Sequence, residues 1–558
     1  MTESGPMIDT HINALLDYAI RAELISGPER VWAANALIDA LKLDSFKASR
    51  ENAQSKNALS VNATFGNAIS INASSVNAAP ANASSLNAAS PNEPEDDPVF
   101  RPGYLSAILS ALTDDALARG LLDADSEGRR ESFATALMGR LTPRPAQVIE
   151  QFWSLYAQSP RQATDWFYKF SQDTNYIHRD RLPLDIKWSA PSAYGTLDLS
   201  INLQKPEIDI RDIVASSKST ADSPSYPLCL LCAENEGYAG RPGHPPRSNH
   251  RIVPVTLGGE AWFLQYSPYA YYNEHCIALN AEHKPMVIDR ACFEKLIDFI
   301  DLFPHYFIGS NSDQPVVGGS ILSHEHFQGG RYDFPMAKAP LETMINFPGF
   351  DDVAAGIVKW PMSVIRLISE ERSHLIDLAC LILSTWKTYS DESVSVFDNK
   401  DGTPLSTITP IARRRGAGFE LDLVLRNSLT SPEHPLGVFH PHAELHHIKK
   451  ESIGLIEVMG LAILPPRLKR EFGLIADVLT RPGVDTNVLP PGHREWAADI
   501  ARRGVSDRSD IETILREETG SAYVKILEHC GVFKRDPRGK AAFARFIEAV
   551  KANCHNAV

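Results

Sequence analysis

Two histidines and a glutamine alternate in the segment Gly-Gly-Ser-Ile-Leu-Ser-His-Glu-His-Phe-Gln-Gly-Gly, residues 318–330. In an extended chain, His324, His326 and Gln328 would point to one face, and the two residues between them would point away. An unprotonated imidazole attacks phosphorus without first losing a proton and later leaves readily. The alternation therefore favours transfer chemistry at phosphorus, and the flanking glycines would let the backbone approach a bulky anion. Metal ligation and hydrogen bonding in a core are the alternative roles.

A second candidate site begins with the pair Cys229 and Cys232. A Cys-x-x-Cys pair lets both sulfurs reach one tetrahedral ion, and two histidines would complete a zinc site. We predict that His275 and His324 are these histidines, so that the ion would hold His326 in place. Two cysteines buried in a core are the alternative.

The bulk properties limit the class of protein. The chain has 558 residues, 43% of them hydrophobic, which suffices for two to four ordinary domains. No apolar run has membrane-spanning length and the first residues lack a secretory signal, so we expect a cytoplasmic protein with no membrane contact. The net charge of −14 argues against nucleic-acid binding, and the seven cysteines indicate reduced thiols.

An asparagine recurs every five residues from 52 to 92, mostly followed by alanine. This tract is too poor in apolar side chains to offset its ordering entropy, so we predict a low-complexity linker. A β-solenoid is the alternative, but it would need a large apolar residue at one fixed phase.

Hydrophobic periodicity predicts an α+β protein with helices at both ends. Helical spacing marks residues 8–48 and 103–180, the stretch from Leu367 to Tyr389, and the chain from about 466 onward. Alternation or β-prone composition predicts strands from about 194, including 196–203, 261–266 and 419–426. Five segments result, with boundaries 1–48 (helical), 49–97 (linker), 98–190 (helical lobe), 191–345 (strand-rich) and 346–558 (mixed, with terminal helices).

Several motifs together resemble one family. They are Cys-Leu-Leu-Cys-Ala-Glu-Asn-Glu-Gly-Tyr-Ala-Gly-Arg (229–241), Asn-His-Arg-Ile-Val-Pro (249–254), Ser-Pro-Tyr-Ala-Tyr-Tyr-Asn-Glu-His-Cys (267–276), the segment 318–330, and His-Ile-Lys-Lys-Glu-Ser-Ile-Gly-Leu-Ile-Glu-Val-Met-Gly (447–460). In this order they resemble the class II galactose-1-phosphate uridylyltransferases of the histidine-triad superfamily. The resemblance covers nearly the whole chain apart from the Asn-Ala tract.

The resemblance implies two histidine-triad-like halves with antiparallel sheets and a double-displacement reaction. UMP from UDP-glucose would pass to His326 and then to galactose 1-phosphate, giving UDP-galactose and glucose 1-phosphate in galactose catabolism. Gln328 would donate a hydrogen bond to the phosphoryl oxygens as charge builds. The class I signature has proline where this chain has Glu325, and one residue fewer between Ser320 and His324.

Further binding residues follow from the same resemblance. Asn311 and Ser320 lie where class I enzymes contact phosphate and nucleotide, and Lys450 and Glu457 lie where they contact the sugar. The resemblance also implies a homodimer, and it gives His440 and His442 two alternative roles, which are to hold a second metal ion or to line the hexose phosphate pocket. The alternatives are a histidine-triad nucleotide hydrolase, a dinucleotide phosphorylase, and a non-catalytic zinc-stabilised binding protein.

Overall fold

The computed structural model describes eight ranges of the chain, namely 6–49, 97–123, 125–203, 226–241, 244–319, 321–481, 485–504 and 507–557. The Asn-Ala tract lies outside these residues. The chain divides into two compact units, Met1–Pro183 with Ala233–Val253, and Leu184–Cys232 with Pro254–Val558. The boundaries of the five predicted segments stay predictions. Helices and antiparallel sheets occur together, which confirms the α+β class.

The first unit is helical. Its helices are α1 (Pro6–Arg21), α2 (Arg30–Leu41), α3 (Tyr104–Ala118), α4 (Glu127–Leu141), α5 (Pro145–Tyr156) and α6 (Pro160–Asp173). Ile12, Leu15 and Leu16 of α1 are fully buried, because the helical repeat places them on one face. The helices predicted within 8–48 and 103–180 are therefore confirmed.

The second unit holds the sheets. The strands are β1 (Ile186–Ser192), β2 (Gly195–Ile201), β3 (Val253–Leu257), β4 (Glu260–Tyr266), β5 (Cys276–Asn280), β6 (Phe307–Gly309), β7 (His326–Gly330), β8 (Leu341–Ile345), β9 (Ala354–Val358), β10 (Val364–Ser369), β11 (Asn399–Lys400), β12 (Thr403–Pro404), β13 (Ser406–Arg415), β14 (Gly418–Asn427) and β15 (Leu461–Leu464). The helices are α7 (Arg290–Leu302), α8 (Pro335–Lys338), α9 (Arg372–Lys387), α10 (Leu455–Val458), α11 (Arg467–Thr480), α12 (Pro491–Arg502), α13 (Arg508–Cys530) and α14 (Pro537–Ala557).

Ten strands form one sheet in the order β3-β4-β5-β7-β6-β13-β14-β10-β9-β8. Each half of this sheet has three strands, a helix and two more strands, and the last strand lies between the third and the fourth. The equivalent fourth strands, β6 and β13, pair antiparallel at the centre. The halves are thus related by an approximate two-fold axis, which confirms the prediction of two related halves.

A smaller sheet of β1, β2 and β15 lies in the same unit, with β15 parallel to β2. A buried cluster joins this sheet to strands of the large sheet, to the 453–464 segment and to α13; Leu199, Val424, Ile453 and Tyr523 are among its members. The segment that carries Glu457, one of the two predicted sugar-binding residues, therefore packs into a core.

Two boundaries differ from the sequence prediction. Leu367 lies in β10, and the helix predicted to run through it begins only at Arg372. Residues 364–369 pair with strands on both sides, which outweighs their helical spacing. Strands also begin at Ile186, earlier than predicted. Within the described part of the chain, no helix combines the length and hydropathy needed to span a bilayer.

Arg366 of β10 makes a buried ion pair with Asp422 of β14. Its Nε and Nη2 atoms donate to the two carboxylate oxygens at 2.6 and 3.0 Å. The same guanidinium donates to the carbonyl oxygens of Ala339 and Met336. Burial alone would raise the pKa of Asp422, but the Arg413 and Arg366 guanidiniums hold it below its usual value. The pair therefore depends on both cations.

We expect Arg366→Met to destabilise the second unit by about 3 kcal/mol, because it leaves a buried carboxylate with one cation fewer. Urea unfolding followed by tryptophan fluorescence measures the loss. Arg414→Met removes a guanidinium that pairs with Asp301 and is more exposed than Arg366, and it should cost less than about 1 kcal/mol. Equal losses in the two variants would contradict this ranking.

Candidate active site and metal centre

Strand β7 positions the two predicted catalytic side chains. It pairs antiparallel with β5 on one side, where Leu279 lies opposite His326, and with β6 on the other, where Gly309 lies opposite Gln328. Alternation along β7 points His326 and Gln328 to one face of the sheet. Phe327 points to the other face and stacks on Trp262. The predicted extended register is therefore present from His326 onward.

The glycines after the motif are required by protein contacts. A Cβ at Gly329 would lie 2.5 Å from the carbonyl oxygen of Phe307, and one at Gly330 would lie 2.3 Å from that of Glu274. Gly330 also has φ of +141°, a backbone conformation that other residues rarely adopt. The sequence analysis predicted that these glycines let the backbone approach an anion. In the structure, Gly329 and Gly330 let the backbone approach neighbouring strands and turns.

His326 has a fixed tautomer. Its side chain is 4% exposed, and its Nδ1 atom lies 2.8 Å from the carbonyl oxygen of His324. Because a carbonyl oxygen only accepts, Nδ1 carries the hydrogen and Nε2 keeps its lone pair. Burial lowers the pKa of His326 to about 4. The imidazole is therefore neutral near pH 7 and presents Nε2 as a nucleophile.

Four residues form a cluster that could hold a metal ion: Cys229, Cys232, His283 and His324. The two sulfurs are 3.5 Å apart. Nδ1 of His324 lies 3.3 Å from Sγ of Cys229, and Nδ1 of His283 lies 3.2 Å from Sγ of Cys232. Ligands of one tetrahedral ion lie about 3.5 Å apart when each is 2.0–2.3 Å from it. The donor set therefore fits such an ion.

The surroundings of this cluster also fit a metal site. Nε2 of His324 donates to the carbonyl oxygen of Asn280 at 2.8 Å, so its Nδ1 keeps the lone pair that a metal needs. The neighbouring side chains of Cys229, His324 and His283 hold the pKa of the Cys232 thiol below its usual range. Three of the four predicted ligands come together here.

His275 does not lie in the cluster. Its Nε2 atom is 3.1 Å from Oε1 of Gln328, and His283, which the sequence analysis missed, is the fourth member. His283 follows β5 by three residues. Only the pairing of β5 with β7 brings it to His324, and the sequence does not show that pairing.

The Glu325 carboxylate helps to hold the segment that leads into β7. Its Oε1 atom accepts from the buried Lys295 ammonium at 2.8 Å, and its Oε2 accepts from the Asn280 amide at 2.9 Å. The side chain therefore points away from His326, as predicted. Because Asn280 also binds the His324 ring through its carbonyl oxygen, both residues before His326 are tied to the end of β5.

Asn311 and Glu457 meet at the start of α10. Oδ1 of Asn311 accepts from the backbone N–H of Leu455 at 2.8 Å, and Oε2 of Glu457 accepts from that of Gly454 at 3.0 Å. Leu455 packs over Gly309, the residue opposite Gln328. Directly opposite residues of an antiparallel pair point to the same face. This turn therefore lies on the face to which His326 and Gln328 point.

The two other predicted binding residues are Lys450 and Ser320. Lys450 is exposed, and the neighbouring Lys449 is the lysine that contacts Glu457, with Nζ 2.9 Å from Oε1. Lys449 is 2% exposed and also donates to the carbonyl oxygen of Ile463. Ser320 lies outside the described residues.

The second group that could hold a metal ion contains His442 but not His440. His442 is stacked between His434 and His529, with ring centroids 4.0 and 4.1 Å away. His442, Glu444 and His529 are a second group that could hold a metal ion. His440 is not a member, and its Nδ1 atom donates to the carbonyl oxygen of Pro441.

Comparison with known proteins identifies the family of this chain. The family models described as galactose-1-phosphate uridyl transferase match residues 105–285 with the N-terminal domain and 299–498 with the C-terminal domain. The chain belongs to the galactose-1-phosphate uridylyltransferase family. The resemblance indicated by the motifs is thereby confirmed, as is the assignment of the chain as a transferase. In this uridylyltransferase family member, the four residues that could hold a metal ion comprise three from the first matched range and His324 from the second.

Individual relatives cover most of the chain. The galactose-1-phosphate uridylyltransferase of Bacillus subtilis (strain 168) is 48% identical over 453 residues, which is 80% of this chain and 88% of the relative. Its namesake in Clostridium acetobutylicum is 50% identical over 452 residues, or 80% and 90% of the two chains. That of Streptococcus pneumoniae (strain Hungary19A-6) is 50% identical over 428 residues, or 76% and 86%. No solved structure matches this uridylyltransferase family chain.

We expect His283→Ala to lose most of its bound metal during dialysis, because one of four ligand atoms is gone. His275→Ala should keep the wild-type metal content, since its ring faces Gln328. Inductively coupled plasma mass spectrometry on both variants measures the metal-to-protein ratio. Metal loss in His275→Ala with retention in His283→Ala would restore the ligand set predicted from the sequence.

Proposed function

We propose that this chain transfers UMP from UDP-glucose to galactose 1-phosphate through a uridylyl-His326 intermediate. The observation that carries the proposal is the tautomer of His326. Its Nδ1–H is bound to a backbone carbonyl, which leaves the lone pair on Nε2, and the ring lies on the sheet face to which Gln328 also points. The names of the relatives support this substrate class.

The first step is attack by Nε2 of His326 on the α-phosphorus of UDP-glucose. An N–P bond forms, the bond from the α-phosphorus to the bridging oxygen breaks, and glucose 1-phosphate leaves with that oxygen. The hydrogen stays on Nδ1, where it is hydrogen-bonded to the His324 carbonyl oxygen, so the nucleophile needs no base. The charge on the uridylyl-imidazolium is then stabilised by the same hydrogen bond.

The second step reverses the first with a different acceptor. A phosphate oxygen of galactose 1-phosphate attacks the uridylyl phosphorus, the N–P bond breaks, and UDP-galactose forms. Gln328 donates to the nonbridging oxygens in both transition states. Because the acceptor and the first leaving group are both hexose 1-phosphates, one pocket can serve both steps.

The turn at α10 is the proposed hexose-phosphate pocket. Glu457 is buried and held by Lys449 and the Gly454 N–H, so its carboxylate is fixed for accepting sugar hydroxyls. Asn311 fixes the backbone of the same turn. Lys450 is exposed beside it and would oppose phosphate charge. Ser320 keeps its proposed phosphate contact on the resemblance alone.

Zinc is the ion that we propose for the cluster of two cysteines and two histidines, because this donor set and spacing are typical of structural zinc sites. Bound there, it would fix the His324 ring and thereby the carbonyl that holds His326. A second ion at His442, Glu444 and His529 would replace the predicted pair of His440 and His442. The homodimer and the cytoplasmic location stay predictions.

A nucleotide hydrolase or dinucleotide phosphorylase is the second candidate, since both would use the same nucleophile. The buried surroundings of His326 favour transfer, because water must be kept from the intermediate. Free UMP as the main product, in place of a UDP-sugar, would favour the hydrolase.

We expect wild-type protein incubated with UDP-glucose labelled in the uracil to carry label after denaturation, and His326→Ala to carry none. Gln328→Ala should still become labelled, with turnover reduced about 10²–10³-fold because one donor to the developing charge is lost. The readouts are protein-bound radioactivity and the rate of UDP-galactose formation.

His374→Ala is the matched control, because His374 is an exposed histidine of α9 paired with Asp352. It should label and turn over like the wild type. Unlabelled wild-type protein, or label at a residue other than 326, would overturn the covalent mechanism.

A further inference from the structure

We propose that His275 is a positioning residue that sets the direction of the Gln328 amide. The inference rests on the proposed function, in which Gln328 donates to phosphoryl oxygens. Its basis is the contact between Nε2 of His275 and Oε1 of Gln328 at 3.1 Å. Because a side-chain carbonyl oxygen only accepts, Nε2 of His275 carries the hydrogen in this contact.

The direction of the amide decides its chemistry. A glutamine amide can rotate by half a turn, which exchanges a donor NH₂ group for an acceptor oxygen. With Oε1 bound to His275, the NH₂ group is the end that Gln328 offers to a ligand. The opposite orientation would point an oxygen at the anionic phosphate and repel it. His275 thus selects the orientation that a phosphoryl group requires.

The His275 ring is held in a slot between two tyrosines. Its centroid lies 5.2 Å from that of Tyr271, with the planes 27° apart, and 4.8 Å from that of Tyr272. The hydroxyl of Tyr272 donates to the carbonyl oxygen of Gly329, the residue after Gln328. The same strand that carries Gln328 is therefore tied to the wall of the slot, which fixes the distance between imidazole and amide.

The backbone before His275 supports the same role. Glu274 has φ of +55°, which non-glycine residues adopt only where their surroundings hold them. The Glu274 carboxylate is buried and contacts the Tyr306 hydroxyl and the Arg331 guanidinium. The carbonyl of His275 accepts from the Ser267 N–H at 2.8 Å. The turn therefore presents the ring in one orientation.

Two substitutions separate hydrogen bonding from packing. His275→Phe keeps an aromatic ring in the slot but removes the donor, and we expect kcat to fall about ten- to hundredfold with KM for UDP-glucose changed less than about threefold. His275→Gln loses the ring but places an amide donor at about the distance of Nε2, so it should recover most of the lost kcat. A packing role would give the reverse ranking.

A double-mutant cycle provides the second readout. If His275 acts through Gln328, the two losses do not add, and His275→Phe/Gln328→Ala turns over at about the rate of Gln328→Ala. Additive losses, or full activity of His275→Phe with an unchanged melting temperature, would overturn the inference. Failure of the proposed function is distinct, because wild-type protein would then acquire no uridylyl label.

Discussion

The hydrogen bond from Nδ1 of His326 to the carbonyl oxygen of His324 is the interaction on which the site depends. One residue contributes at two places, since the His324 ring faces the two cysteines while its carbonyl sets the tautomer of the nucleophile. Any rotation of the peptide between them would disturb both functions together. The anchoring of Glu325 by Lys295 opposes that rotation from the other side of the strand.

The approximate two-fold axis of the large sheet places different chemistry on equivalent strands. In the first half, β7 directs His326 and Gln328 to the face covered by α10. In the second half, β14 directs Asp422 to that same face, where Arg366 and Arg413 neutralise it. The buried group on β7 is therefore a neutral imidazole, whereas the buried group on β14 is a carboxylate paired with two guanidiniums.

Local patterns predicted much of the fold and the centre of the site. Helical spacing located α1 and α3, and the alternation in the motif gave the common face of His326 and Gln328, because both depend only on neighbours in sequence. The predicted helix extended into β10 because the pairing partners of this strand lie 8 to 60 residues away in sequence. Such pairing energies have no local signature.

The remaining differences come from strand register and the paths of loops. His275 and His283 are both histidines near β5, and only the register with β7 decides that one meets Gln328 and the other meets the cysteines. Lys449 and Lys450 are adjacent in sequence, yet the turn buries the first against Glu457 and exposes the second. Residue type and spacing do not specify which of two adjacent side chains in a turn points into the protein.

The spread of the metal ligands along the chain bears on the order of folding. Cys229 and His324 are 95 residues apart, and joining such distant points in an unfolded chain costs on the order of 4 kcal/mol in loop-closure entropy. The ring of His324 and the loop after β5 come together only once β5 and β7 have paired. An ion would therefore bind with full affinity only after these strands have paired. Once bound, it would stabilise the assembled sheet.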